Sequence, residues 1–243
     1  MRVLLKISYL GTNYHGWQVQ PNGITVQETL QDALEKLYQT RPALTGCSRT
    51  DSGVHAKEFY CHFDTEKYIP ENNIINALNT MLPNDISVLG CEFVEDDFHA
   101  RYSSKGKEYI YQIYNAQTPN PFLYETSWHI NRKLDIIKMN KFANDLIGKH
   151  DFIAFSSSGR TVTDTVRTVE YCTVETNNDI ITIKVRADGF LYNMVRIIVG
   201  TLVDVSDGKI DVNSAMEIIE SKDRSLAGFT APPKGLFLNR VFF

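Results

Sequence analysis

Between two β-prone runs, Ala43–Cys47 and Phe59–Phe63, lies Gly46-Cys47-Ser48-Arg49-Thr50-Asp51-Ser52-Gly53-Val54-His55-Ala56. A carboxylate on a tight turn supplies a nucleophile, and a guanidinium two residues before it supplies a planar face and phosphate donors. Asp-Ser-Gly is also an ordinary turn signal, because Asp caps its own backbone and Gly tolerates positive φ. A second charge stands far along the chain. Arg196 sits within Asp188–Val203, a run apolar nearly all round and therefore expected to be a buried helix. The residues three and four positions away are Asn193, Tyr192, Val199 and Gly200, so no acid of that helix can pair with it. A buried guanidinium without a partner is very costly, so an acid from elsewhere meets it or it reaches solvent at a cleft. Asp51 is the acid expected there. Such a pairing would lower its pKa and keep it ionised, and hence nucleophilic, with water excluded.

The elements around these residues alternate. Val3–Tyr9 reads as a strand, broken by Leu10-Gly11-Thr12-Asn13. The loop Tyr14–Gly23 carries Trp17, either as an anchor into the core or as a surface on which bases stack. Thr25-Val26-Gln27-Glu28 is a capping box, and Val26, Leu30, Ala33, Leu34 and Leu37 form one helical stripe. A helix opening at Pro70 and a strand over Ile86–Val94 follow. Lys107–Tyr114 alternates as a strand, with Tyr109 and Tyr111 on one face, where tyrosines are commonly half-buried. A helix over Asp135–Ile147, a mobile loop over Ser157–Arg167, strands at Val169–Glu175 and Ile180–Ala187, a helix capped by Asp188, a short helix over Val212–Ile219 and a closing strand Leu236–Phe243 complete the pattern. The order predicts an α+β fold of two domains, 1–104 and 105–243, each an antiparallel sheet with helices on one face.

The 243 residues suffice for two cores, and 43% hydrophobic with 22% charged residues is ordinary for a globular protein. No run of about 20 apolar residues occurs, so no membrane span is expected. Cys47, Cys61, Cys91 and Cys172 form no C-x-x-C pair, which points to a reducing, cytoplasmic compartment and to no zinc. The net charge of −4 argues at first against a nucleic-acid partner. Its distribution is more permissive: residues 66–99 hold one base and seven acids, residues 101–167 ten bases and six acids. Lys105, Lys107, Arg132 and Arg160 would hold a nucleic-acid backbone without reading its sequence.

The eleven-residue segment resembles the signature of the tRNA pseudouridine synthase A type, G-R-T-D-A-G-V-H-A. The resemblance extends over Gly16-Trp17-Gln18, Ala77-Leu78-Asn79, Phe98-His99-Ala100-Arg101, Tyr109, His150-Asp151-Phe152, Asp188-Gly189-Phe190 to Arg196, and Thr230-Ala231-Pro232. It departs at Ser52 for Ala, Ser48 for Gly, Leu10 for Asp and Phe243 for Tyr; Ser52 could donate a hydrogen bond to Asp51. The resemblance implies an isomerase, free of cofactor and metal, that converts uridine to pseudouridine at positions 38 to 40 of the tRNA anticodon arm. It implies Asp51 as the essential carboxylate, acting at uracil C6, at ribose C1′ or through a glycal. Arg49 would fill the space left by the flipped nucleotide, and Tyr109 would stack on the uracil. Arg196 completes the expected catalytic set, and Arg101, Lys105, Lys107 and Arg160 join Arg49 as substrate-binding residues. A homodimer is implied, with one sheet through both domains of each protomer and Asp51 in a central cleft.

Two other chemistries use the same residues. A hydrolase would set Asp51 beside Glu58, Asp96 or Asp97, with the two acids flanking one bond. A non-catalytic RNA-binding protein would keep the fold and lose turnover.

Overall fold

The protein was analysed as a computed structural model, which describes residues 1–158 and 163–243. It divides into two compact units, Met1–Lys105 with Phe237–Phe243, and Gly106–Leu236. Each is mixed α/β with a mostly antiparallel sheet.

The first unit contains β1 (Arg2–Tyr9), α1 (Val26–Tyr38), β2 (Thr45–Gly46), β3 (His55–Asp64), α2 (Glu71–Met81) and β4 (Ile86–Val94). Strand β1 lies antiparallel between β3 and β4. Alternation puts Val3, Leu5 and Ile7 with Phe59, Cys61 and Phe63 in the core, all 0–1% exposed. Lys6, of opposite parity, pairs with Glu58 at 2.8 Å. The expected stripe of α1 buries Val26, Leu30, Ala33 and Leu34, and Tyr38 at its end meets Phe63 edge-on at 5.4 Å. Helix α2 is tied to β4 by one side chain. Asn79 donates to the Val88 carbonyl at 2.9 Å and accepts from the Val88 amide at 2.8 Å.

The second unit contains β5 (Gly106–Tyr114), β6 (Trp128–His129), α3 (Ile136–Asp145), β7 (Gly148–Asp151), β8 (Val166–Asn177), β9 (Ile180–Ala187), α4 (Met194–Ser206) and α5 (Ala215–Ser221). Its antiparallel order is β5-β9-β8-β7. Asn140 of α3 brackets Val174 of β8 as Asn79 brackets Val88, at 2.6 and 2.8 Å. Helix α4 is buried along most of its length, as its composition demands, but it starts later than expected. Asn193, with φ 61°, is its N-cap. Asp188 instead accepts from the Thr168 amide at 2.9 Å and serves β8 rather than a helix. Gly200 allows a close crossing, since a Cβ there would fall 1.8 Å from the Phe229 carbonyl oxygen.

Among the described residues, parallel pairing interrupts the antiparallel arrangement. Strand β6 runs parallel to β5. Strand β10 (Leu236–Phe242) pairs in parallel with β3, Phe237 opposite His55 and Leu238 opposite Ala56. This pairing places Phe237–Phe243 with the first unit, whereas an unbroken division at 104/105 puts them in the second. Of the expected loop 157–167, Val166 and Arg167 belong to β8, and residues 159–162 lie outside the described residues. No helix among the described residues is long and apolar enough to cross a membrane.

His62 of β3 is 5% exposed and its Nδ1 accepts from the Ala100 amide at 3.2 Å. Burial first, then the charges of Arg2 and His99, lower its pKa to about 4, against an opposing pull from Asp64. Below pH 6.5 the unfolded chain takes up a proton that the native state refuses. Stability therefore falls as pH drops from 6.5 towards 4, by at most about 1.4 kcal/mol per pH unit for one proton. Urea unfolding across this range is expected to show a shallower slope for His62→Gln than for the native sequence.

Candidate active site

The Asp51 turn is built by contact of two backbones. Gly53 has φ +75° and the Val54 amide closes the turn on the Asp51 carbonyl at 3.1 Å. Around it wraps the segment after β1. The Trp17 amide donates to the Thr50 carbonyl at 3.1 Å, and the Gly53 amide to the Tyr14 carbonyl at 3.3 Å. A Cβ on Gly11 would lie 2.0 Å from the Val54 oxygen, and one on Gly16, whose φ is +85°, 2.5 Å from the Thr50 oxygen. Only glycine lets the two segments come this close.

Side chains hold this contact from both ends. The Tyr9 and Thr50 hydroxyls are 2.8 Å apart, and buried His55 accepts from the Gly11 amide at 2.9 Å. Asp85 receives the Tyr14 hydroxyl at 2.6 Å and Asn13 at 3.2 Å, while its carbonyl accepts from the Leu10 amide at 2.9 Å. Burial, with Asp85 beside it, raises the Tyr14 pKa and keeps this hydroxyl a donor. Helix α1 is joined to the same loop. Val26 donates to Gly16, Gln27 to Trp17, and Thr25 caps the helix by accepting from Glu28 at 3.3 Å. Trp17 is 2% exposed with its ring 4.1 Å from that of Phe59, which settles its role as the anchor of the loop and not a stacking surface. Ser52 donates to the Tyr14 carbonyl at 3.3 Å, so its hydroxyl serves the loop and not the Asp51 carboxylate.

The second unit places Tyr109 on β5, 7% exposed, with its ring 4.9 Å from Phe190 in an edge contact. Tyr111, on the same strand face, is fully buried and donates to the Pro232 carbonyl at 2.8 Å. Burial raises its pKa, with the Arg196 charge pulling the other way. Arg196 stands in the first turn of α4. Its Nε donates to the Ala231 carbonyl at 2.7 Å and Nη1 to Asn193 at 2.8 Å, while the Ala231 amide returns a bond to the Arg196 carbonyl at 3.0 Å. The guanidinium is thus held by the Ala231 carbonyl and by the Asn193 side chain.

Asp51, Arg49, Arg101 and Lys105 belong to the first unit, and Tyr109, Lys107 and Arg196 to the second. Asp51 is half-buried, and Arg49, Arg101 and Lys105 are exposed. Arg160 lies outside the described residues. Arg132, expected among the basic contacts, is engaged in a two-bond ion pair with Asp207 at 2.7 and 2.6 Å. Of the acids considered as partners for Asp51, Glu58 is paired with Lys6. His55, His62 and His99 each accept a backbone amide on Nδ1. Gly11, Tyr9, Asp85 and Asn193 were not singled out from sequence. Only Gly11, a glycine directly after a strand, carried a signal, and it reads as a plain turn.

A family model described as tRNA pseudouridine synthase matches residues 6–103 and 142–243. The chain belongs to the tRNA pseudouridine synthase family, whose members are isomerases. Among similar curated proteins, the tRNA pseudouridine synthase A of Thermoanaerobacter sp. (strain X514) is 50% identical over 241 residues, 99% of each chain. That of Acetivibrio thermocellus is 47% identical and that of Clostridium kluyveri 45%, again across 99% of each chain.

Trp17→Ala should lower the unfolding free energy by about 3–5 kcal/mol, as for other buried aromatic truncations, measured by urea denaturation. Gly16→Ala should reduce turnover at least about tenfold in a folded protein, because the turn must shift or the loop must leave it.

Proposed function

We propose that this protein converts uridine to pseudouridine in the anticodon arm of tRNA, at positions 38 to 40, with Asp51 as its nucleophile. The observation that carries this proposal is the Asp51 turn itself, a half-buried carboxylate on a backbone immobilised by two glycine contacts. Such rigidity suits a group that must meet one carbon of a flipped nucleotide. In the reaction the C1′–N1 bond breaks, the base turns, and a C1′–C5 bond forms. C5 then loses its hydrogen as a proton and N1 gains one.

Asp51 from the first unit and Arg196 and Tyr109 from the second must meet one nucleotide for this chemistry. Arg196 would hold Asp51 ionised by its charge. Tyr109 would stack on the uracil, and Arg49 would occupy the gap left by the base, a task suited to a planar cation. Arg101, Lys105, Lys107 and Arg160 would hold RNA phosphates. A cytoplasmic homodimer, with a single sheet through each protomer, belongs to the same proposal.

With tRNA carrying tritium at uridine C5, the native protein should release the label and Asp51→Ala should release none above background. Release surviving that substitution would refute the assignment. Tyr109→Phe should retain activity within about tenfold while Tyr109→Ala loses it, if the ring acts by stacking. Proton transfer by the hydroxyl would abolish both.

A further inference from the structure

The first unit has a surface pocket of about 290 Å³ lined in part by Ser8, Lys57, Asn84, Asp85, Ser87 and Phe237. Its lining includes Ser8 of β1 and Ser87 of β4, which stand opposite each other in the strand register. Its wall carries Lys57, exposed, with its ammonium 5.4 Å from the Phe237 ring centre. A cation, two hydroxyls, an amide and a ring edge in a pocket of this size match a ribose-phosphate unit better than an apolar ligand. Asp85 does not spoil the match, because both its oxygens already accept, from Tyr14 and Asn13, which disperses its charge.

The pocket is coupled to the Asp51 turn by a short chain of bonds. Asp85 holds the Tyr14 hydroxyl, and the Tyr14 carbonyl holds the Gly53 amide and the Ser52 hydroxyl. Tyr9, another lining residue, bonds Thr50 directly. A nucleotide seated here would lie against Tyr9 and Asp85, two of the residues that fix the turn. We infer that this pocket is a subsite for a nucleotide flanking the target uridine, with Lys57 on its phosphate and Asn84, Ser8 and Ser87 on its ribose hydroxyls. The inference rests on RNA being the substrate and adds a contact to that proposal.

Binding tests it without turnover. A fluorescent anticodon stem-loop RNA is titrated with Asp51→Ala protein, with and without Lys57→Gln, over a series of salt concentrations. Loss of one phosphate contact should weaken binding about fivefold at low salt and reduce the slope of log K against log salt by about one, and Lys57→Arg should restore both. In otherwise native protein, Ser87→Trp, which fills the pocket, should raise KM about tenfold and leave kcat within about twofold. Unchanged affinity and slope in Lys57→Gln, or an unchanged KM in Ser87→Trp, would overturn the subsite. Absence of tritium release by the native protein, with a Lys57-dependent slope intact, would defeat the proposed reaction and leave the subsite standing.

Discussion

The approach of Gly11–Trp17 to Thr50–Val54 is the constraint on which the functional end of the first unit depends. Two backbones so close exclude even a methyl group, with the nearest oxygens 2.0 and 2.5 Å from where one would stand. Contacts of that kind are worth little individually, yet they leave the turn no alternative position in a close-packed interior. Much else in the unit follows from keeping them. Trp17 is driven under Phe59 to pin one end of the loop, Asp85 ties the other, and α1 starts where it does because its first amides bond the loop's carbonyls. Asp51 is presented by this arrangement on a short side chain carried by a fixed stretch of main chain.

The two units share a device for joining helix to sheet. Asn79 and Asn140 each satisfy both the amide and the carbonyl of a strand valine, Val88 and Val174. A side-chain amide presents a donor and an acceptor side by side, as a neighbouring strand would. The second unit applies the same economy to Arg196, held by Asn193 and by a reciprocal pair of bonds with Ala231. These bonds orient the guanidinium in an otherwise apolar helix and account for part of the solvation it gives up on burial.

Local pattern was enough to find most elements. Ile86–Val94, Ile180–Ala187 and the stripe of α1 were legible because a strand or helix with one buried face writes its period into the chain. The Asp51 segment was legible through its resemblance to a family signature, since Asp-Ser-Gly by itself reads as a turn. Errors fell where a side chain's partner is distant in sequence. Asp188 looks like a helix cap but serves Thr168, and Ser52 looks like a donor to Asp51 but serves Tyr14. Arg132 shows no partner in the local sequence, and the structure pairs it with Asp207, seventy-five residues on. Gly11 reads as an ordinary turn glycine, and Gly16 is marked only by the resemblance, since what both make room for is another stretch of backbone. The parallel pairing of β10 with β3 was equally hidden, because a strand's sequence says which face is buried and not which neighbour it takes.

That last pairing has a consequence for synthesis. The edge of β3 beside the Asp51 turn is covered by Phe237 and Leu238, while β2 covers only the far end of the same edge at Cys61 and His62. As the nascent chain leaves the ribosome, the first hundred residues can collapse, but this stretch of edge stays open until translation has passed residue 238. An open edge beside apolar Ala56 and Phe59 is a template for pairing with other chains. Termination before residue 237 should therefore leave an aggregation-prone fragment rather than a half-active enzyme, because the strand that covers this edge is missing from it.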